Sequence, residues 1–230
     1  MEPVVAQTPR HDFLRSLHEL LQPATYLEIG VQTGRSLAQA GRRTYSVGVD
    51  PAPVIGVPIV GPNIIYRQTS DAFFAGPRSA QHAPYDLAFI DGMHLVEYCL
   101  RDFMGVERHA RPDGRTVAVF DDVLPYSAGI AGRTPLPGDW AGDCWKIHDV
   151  LAEYRPDLTL VVVDVAPTGA LVVLGLDPAS TVLSEAYEQI VLNYAREFTI
   201  PLGDFLGEWP RVTPAVALEL VRAHLNITEA

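Results

Sequence analysis

The chain of 230 residues contains few basic side chains and only two cysteines. Its 17 lysines and arginines against 28 aspartates and glutamates give a net charge of −11, and this balance argues against binding nucleic acids or anionic membranes, which need basic patches. Cys99 and Cys144 have no paired spacing, so neither a disulfide framework nor a thiolate zinc site is predicted. A small-molecule ligand is the expected partner, and the acidic surface would tolerate a bound cation.

Long apolar runs are also missing, since no segment approaches the roughly 18 consecutive apolar residues of a membrane-spanning helix. The N-terminal residues lack the basic start and apolar run of a signal peptide, so a cytoplasmic address is expected. Apolar residues still make up 48% of the chain, which allows a substantial core. We expect one domain over residues 1–230, with an N-terminal helix at 11–21, a core at 24–176 and a C-terminal helical extension at 177–230.

Short apolar runs recur along the core with helical patterns or loops between them, which is typical of a parallel sheet covered by helices on both faces. Strands are predicted at residues 26–29, 46–49, 64–67, 87–90, 116–120, 158–165 and 170–174. The last two are joined by residues 166–169 alone, too few for a helix, so they form an antiparallel hairpin. The predicted fold is therefore α/β and Rossmann-like, with a seven-stranded, mostly parallel sheet that ends in an antiparallel hairpin.

Proline- and glycine-rich loops interrupt this pattern at residues 51–63 and 123–142. The first is expected to replace a regular helix, and the second to cover the active-site edge as a lid or substrate loop, because long loops in compact domains often have such roles. Within the C-terminal extension, helices are predicted at 180–197 and 213–225. Their apolar faces would allow a homo-oligomer.

The first strand breaks at Gly30 and crosses a tight turn to Gly34, where a helix is expected to begin. Glycine allows positive φ and lets a ligand lie against the backbone. The next strand ends at Asp50, whose carboxylate is placed to hold a ribose hydroxyl pair, because nucleotides bind at the carboxyl ends of parallel strands. The spacing Glu28-x-Gly30-x-x-x-Gly34 lacks the third glycine of the dinucleotide fingerprint, which argues against an NAD-type oxidoreductase.

Acidic residues follow the fourth and fifth predicted strands of the core. Asp91 and His94 come after the fourth strand, and Asp121 and Asp122 end the fifth. All four should therefore converge beside the expected nucleotide site at Gly30 and Asp50. Clustered carboxylates suit a hard divalent ion such as Mg²⁺. Neighbours in an ideal strand point to opposite faces, so Asp121 and Asp122 can both bind an ion only if the chain turns there. Otherwise one of them caps a turn or helix.

His94 is the candidate general base, because a neutral imidazole can accept the proton of a hydroxyl near pH 7. A metal-bound hydroxyl is more acidic than a free one, so the base and the ion would act together. The alternative is a helix-terminal residue that bonds to the backbone or to Glu97.

The glycine turn resembles the first motif of class I S-adenosylmethionine (SAM) methyltransferases, and the terminal hairpin is a second point of resemblance. The unit Asp91-Gly-Met-His94 with the Asp121-Asp122 pair resembles the metal-dependent O-methyltransferases of antibiotic sugars, the macrocin and macrolide-sugar type. The resemblance covers residues 24–175 and implies that Asp91, Asp121 and Asp122 bind Mg²⁺. It also implies catalytic roles for His94 and Asp91.

A SAM site follows from the same resemblance. The cofactor residues that it implies, with Thr33 and Ser36 near the methionine carboxylate and Ser70 and Asp71 near adenine, are Glu28, Gly30, Thr33, Gly34, Ser36, Asp50, Ser70, Asp71 and Asp91. For Ser70 and Asp71 a helix cap is an equal alternative, and Ser36 could simply start a helix.

The function that these observations predict is a SAM-dependent O-methyltransferase of natural-product biosynthesis, assisted by Mg²⁺. It would methylate a hydroxyl of a small molecule or glycoside, with His94 as the base. Two alternatives stay open: a metal-independent methyltransferase whose acidic residues have supporting roles, and a SAM-binding protein without transferase activity.

Overall fold

The computed structural model describes residues 7–138, 140–197 and 209–228. The strands in these residues are β1 (Thr25–Ile29), β2 (Tyr45–Val49), β3 (Asn63–Tyr66), β4 (Leu87–Ile90), β5 (Val117–Asp121), β6 (Thr159–Val163), β7 (Ala170–Leu174) and β8 (Arg211–Val212). They form one sheet in the order β3-β2-β1-β4-β5-β7-β6-β8. Strands β1 to β5 run parallel, and β7 is antiparallel to both β5 and β6.

The predicted fold class is confirmed, with one correction to the strand count. The sheet has an eighth strand, β8, which pairs parallel with β6 at its edge. This strand is only two residues long, so it has no alternation of apolar and polar positions by which a sequence could reveal it.

The described helices are α1 (Arg10–Leu21), α2 (Ser70–Ala75), α3 (Pro77–His82), α4 (Val96–Arg108), α5 (Ile147–Tyr154), α6 (Val182–Tyr194) and α7 (Pro214–His224). Helices α1, α6 and α7 match the three predicted helices within a few residues, and the part of the extension at 198–208 lies outside the described residues. In the described parts of the chain, no helix is both long enough and apolar enough to cross a membrane.

The helix expected after Gly34 does not form. Residues Leu37–Gln39 make a single 3₁₀ turn, and β2 begins a few residues later at Tyr45. The intervening chain is short and contains Gly41, which favours turns over helices. Residues 51–63 contain no helix, as predicted.

Helices cover both faces of the sheet. On β1, Leu27 and Ile29 pack in the core cluster that includes side chains of α4, α5 and α6. Tyr26, which precedes Leu27 on β1, packs on the other face in the cluster that includes side chains of α1 and α7. Burial of each large apolar side chain contributes about 1.5–3 kcal/mol, so both layers hold the sheet in place.

The segment before α1 is joined to the turn between β6 and β7. The amide of Ala166 donates to the carbonyl of Thr8 at 2.9 Å, and the amide of Arg10 donates to the carbonyl of Ala166 at 2.9 Å. These bonds place Arg10, the first residue of α1, at the edge of the sheet where β5 ends.

A buried ion pair ties α4 to the end of α5. Nη1 of Arg155 donates to both carboxylate oxygens of Glu107 at 2.7 Å, and the Arg155 side chain is only 2% exposed. The amide of Asp177 also donates to Glu107, so three separate segments meet at this carboxylate.

We predict that Arg155→Met lowers the free energy of unfolding by about 3–5 kcal/mol, because Glu107 is left as a buried carboxylate without its cation. Urea denaturation followed by circular dichroism measures the change. Arg15→Met is the matched control, since Arg15 pairs with Asp12 at an exposed position and should contribute less than about 1 kcal/mol. Similar losses in both variants would contradict the role assigned to the buried pair.

Candidate active site

A cavity of about 670 Å³ lies at the carboxyl ends of β1, β2, β4 and β5. It is lined by several residues predicted from the sequence, namely Gly30, Asp50, Ser70, Asp71, Asp91, His94 and Asp122. The other predicted residues do not line it, namely Glu28, Thr33, Gly34, Ser36 and Asp121. The cavity size is within the range of small-molecule sites.

The glycine turn is shaped by close packing against the chain that leaves β4. Gly30 has φ +87° and Gly34 has φ +82°, both in the left-handed region that favours glycine. A Cβ atom at Gly30 would lie 1.8 Å from the carbonyl oxygen of Asp91, so no other residue fits there without moving the backbone. The turn therefore holds the end of β1 directly against the start of the Asp91–His94 segment.

We predict that Gly30→Ala destabilises the protein by about 2–5 kcal/mol, the sum of the left-handed backbone cost and the displacement of Asp91. Gly114→Ala is the control, because Gly114 also has positive φ, at +70°, but has open space around it. The control should lose only about 1–2 kcal/mol in the same urea titration. Equal losses would show that the close approach contributes nothing.

Asp50 both shapes the glycine turn and faces the cavity. Its Oδ2 accepts a hydrogen bond from the amide of Gln32 at 2.7 Å, and its Oδ1 accepts one from the amide of Ala52 at 2.7 Å. These bonds fix the orientation of the carboxylate. Each carboxylate oxygen can accept more than one bond, so the group can still accept from a ligand hydroxyl.

Glu28 lies beneath the turn rather than in the cavity. It is fully buried, and its Oε2 accepts a hydrogen bond from the Tyr26 hydroxyl at 2.6 Å. Burial raises the pKa of Glu28 to about 8, although the Tyr26 bond opposes the shift. At pH 7 the carboxyl is therefore mostly neutral. It is buried within the domain, where it bonds to Tyr26 of the same strand.

The start of α2 forms another wall. The cap of this helix is Thr69, whose side chain accepts from the amide of Ala72 at 3.2 Å. Ser70 and Asp71 are thus in the first turn of the helix and not its cap. Asp71 accepts two hydrogen bonds from the Arg101 guanidinium, at 2.7 and 3.0 Å, while it lines the cavity.

His94 lies between two carboxylates. Its Nε2 is 3.3 Å from Oδ1 of Asp91, and its Nδ1 is 3.1 Å from Oδ2 of Asp122. Nδ1 is also 2.7 Å from the carbonyl oxygen of Trp140. A carbonyl can only accept, so Nδ1 carries a proton and Nε2 is the atom that can gain or lose one.

Electrostatics favour the charged form of His94. Burial lowers its pKa, but the hydrogen bond to Asp91 and the negative charges of Asp91 and Asp122 outweigh burial and raise the pKa to about 10. Burial and the charge of Asp91 likewise raise the pKa of Asp122. The imidazole can act as a base near neutral pH only when the charge of the facing carboxylates is neutralised by another cation.

The chain turns directly after β5, so the two neighbouring aspartates separate. Asp122 has φ +60°, accepts a short hydrogen bond from the Thr168 hydroxyl and faces His94. Asp121 pairs with the guanidinium of Arg10 and has a side chain that is only 2% exposed. Among the described residues, the group whose ligand atoms lie within 4.8 Å of one another is Asp91, His94 and Asp122. This candidate group contains His94, and it does not contain Asp121, which the resemblance implies as a ligand.

The long loop at 123–142 closes over the cavity and holds His94. Ile130, Gly138 and Trp140 are among the lining residues. The Trp140 ring is nearly parallel to the His94 ring, with an angle of 13° and centroids 5.6 Å apart. Arg133 fastens the loop, since its guanidinium donates to Glu97 at 2.6 Å and to Asp143 at 2.7 Å.

Three residues that reach the site were missed by the sequence reasoning, namely Arg10, Arg133 and Thr168. Arg10 and Thr168 line the cavity, although they lie in α1 and in the β6–β7 turn, far from the motifs. None of them belongs to a recognisable pattern. Only the bonds between residues 8–10 and Ala166 show why Arg10 is near the end of β5.

Comparison with solved structures identifies the fold. No protein-family model matches the chain, and no curated protein matches it. An O-methyltransferase from Bacillus cereus in complex with SAH is 15% identical with a TM-score of 0.55, over 75% of this chain and 84% of that one. The O-methyltransferase TomG from Streptomyces achromogenes, involved in tomaymycin synthesis and in complex with SAM, is 17% identical with a TM-score of 0.54, over 77% and 83%.

MycE, a methyltransferase of the mycinamycin pathway in complex with Mg, SAH and mycinamycin VI, is 19% identical with a TM-score of 0.51. The match covers 74% of this chain and 50% of the MycE chain. The neighbours share the class I methyltransferase fold, so the fold implied by the sequence resemblance is confirmed. In particular, the chain is similar in fold to two O-methyltransferases and to a methyltransferase of the mycinamycin pathway.

Proposed function

We propose that this protein is a SAM-dependent O-methyltransferase. The observation that carries the proposal is that a single cavity, on a methyltransferase fold, joins the glycine turn and Asp50 to the cluster of Asp91, His94 and Asp122. The first group suits a nucleoside, and the second suits the activation of a hydroxyl. The SAH and SAM of the two similar O-methyltransferases support the same choice of cofactor.

Asp50 is the proposed anchor of the SAM ribose. Its carboxylate is held by two backbone amides and keeps acceptor capacity for the hydroxyl pair. Gly30 lets the cofactor lie against the backbone, while Ser70 and Asp71 are proposed to border adenine at the start of α2. The turn itself contains Thr33, Gly34 and Ser36 and is held by backbone hydrogen bonds. Glu28 is buried on β1, just before the turn, and bonds to Tyr26.

Methyl transfer is an in-line displacement at the sulfonium methyl, so the protein must mainly align the acceptor hydroxyl and remove its proton. Nε2 of His94 is the proposed proton acceptor, because the Trp140 carbonyl holds the proton on Nδ1. Asp91 faces Nε2 and stabilises the imidazolium that forms.

Asp91 and Asp122 would hold Mg²⁺, with His94 beside it. Two carboxylates are hard oxygen ligands that suit this ion, and ligand atoms of Asp91 and Asp122 lie within 4.8 Å of each other. When bound, the ion would neutralise the carboxylates and make an acceptor hydroxyl more acidic. The Mg in the MycE complex supports this choice. A metal-independent reaction is the alternative, favoured by the guanidinium of Arg10 that already pairs with Asp121.

The acceptor is proposed to be a hydroxylated small molecule or glycoside of natural-product biosynthesis. Met93, Tyr98, Ile130 and Trp140 give the cavity an apolar and aromatic wall that suits such a ligand. The exposed Leu192 of α6, together with partly exposed apolar positions on α7, supports the proposal of a homo-oligomer. The cytoplasmic location remains a prediction.

We predict that Asp50→Ala weakens SAM binding at least about tenfold, a loss of about 1.4 kcal/mol, because the ribose anchor is removed. Calorimetric titration of SAM into chelator-treated protein measures the affinity. Asp113→Ala is the control, since Asp113 is an exposed residue on the turn before β5 and should leave the affinity unchanged. A folded wild-type protein that binds no SAM, with or without Mg²⁺, would refute the methyltransferase assignment.

We predict that His94→Ala reduces turnover by about 10²–10⁴-fold, because the base is lost, while SAM affinity changes little. SAH formation is measured by mass spectrometry with a panel of phenols, catechols and glycosides. His148→Ala serves as the control, because His148 packs against Trp209 and does not line the cavity. Activity of His94→Ala equal to that of the wild type would remove His94 from the mechanism.

A further inference from the structure

Arg10 brings a fixed positive charge into the acidic cluster from the N-terminal end of the chain. Its guanidinium contacts the Asp121 carboxylate, and its Nη1 lies 3.8 Å from Oδ2 of Asp91. The Arg10 side chain is 27% exposed and lines the cavity. The cluster therefore contains three aspartates and one permanent cation.

The backbone holds Arg10 in this position. The hydrogen bonds between residues 8–10 and Ala166 fasten the chain just before α1 to the β6–β7 turn. Gln7 adds a side-chain bond to Asp164, at 2.6 Å, on the same hairpin. Thr168 of that turn bonds to Asp122, so the hairpin positions both Arg10 and one of the aspartates.

The Arg10–Asp121 pair is costly to separate. A carboxylate as buried as that of Asp121 needs a counter-charge, and removal of one partner of a buried pair leaves an uncompensated charge. Guanidinium stays protonated at any pH that a folded protein experiences. A divalent cation could coordinate Oδ2 of Asp121 only by displacing this guanidinium.

We propose that Arg10 is a built-in counter-cation that keeps Asp121 out of metal coordination. The inference deepens the proposed function and rests on it. With Asp121 neutralised by Arg10, the charge left at the cavity is that of Asp91 and Asp122, which matches one divalent ion. The metal site is then a two-carboxylate site, and Arg10 is a positioning residue that lowers its affinity for cations.

The test is Mn²⁺ binding, measured by electron paramagnetic resonance on chelator-treated protein without SAM or acceptor. Mn²⁺ prefers the same oxygen ligands as Mg²⁺ and has a direct signal. Arg10→Gln should bind Mn²⁺ at least about tenfold more tightly than the wild type, because a third carboxylate becomes available and a nearby positive charge is lost. Arg10→Lys, which keeps the charge, should bind within about twofold of the wild type.

The double variant Arg10→Gln/Asp121→Asn separates the proposal from its rival. It leaves no unpaired buried charge, so it should fold even if Arg10→Gln does not. The proposal predicts Mn²⁺ affinity within about threefold of the wild type, since Asp91 and Asp122 are unchanged. A loss of about tenfold or more would identify Asp121 as a ligand in the wild type and overturn the proposal. So would a folded Arg10→Gln variant that binds Mn²⁺ no more tightly than the wild type.

This readout does not depend on SAM. A protein that shows the expected Mn²⁺ pattern but binds no SAM would refute the proposed function and leave the role of Arg10 standing. A protein that binds SAM through Asp50 but shows the opposite Mn²⁺ pattern would refute only the role of Arg10.

Discussion

The two halves of the cavity meet where Gly30 lies against the carbonyl of Asp91. There is no room for a Cβ atom between them, so the glycine turn after β1 and the acidic segment after β4 are held at a fixed distance. The amide of Asp91 also donates to the carbonyl of Ile29 at 2.8 Å, which extends the ladder between β1 and β4 to the edge of the cavity. Asp50, bonded to the amide of Gln32 in the same turn, is thereby placed relative to Asp91 as well.

Charge balance is the second constraint on the site. Three aspartates at one sheet edge would repel each other. Two basic side chains from different parts of the chain pair with them. His94 faces Asp91 and Asp122, and Arg10 pairs with Asp121. The turn at Asp122 separates the two neighbouring carboxylates, so that each has its own partner. The geometry of this edge thus depends on contacts between α1, the β6–β7 turn and β5.

The loop that lines the cavity also holds the proposed base in position. The Trp140 carbonyl sets the proton on Nδ1 of His94, and Arg133 ties the same loop to Glu97 and Asp143. Asp143 in turn accepts from the amide of Val96 at the start of α4 at 2.9 Å. The orientation of the His94 ring therefore depends on ion pairs of the loop as well as on its apolar contacts.

By itself, the sequence determined the fold class, the glycine turn and the sheet edge on which Asp50, Asp91, His94 and Asp122 meet. These features follow from local patterns, because apolar runs define parallel strands and the ends of parallel strands share an edge. Tertiary structure decided that Asp121 pairs with Arg10, that Glu28 is buried behind the glycine turn, that Trp140 stacks on His94 and that a 3₁₀ turn replaces the helix expected after Gly34. Each of these features depends on partners distant in sequence or on the space left between strands. The spacing of residues within a motif encodes neither the distant partners nor that space.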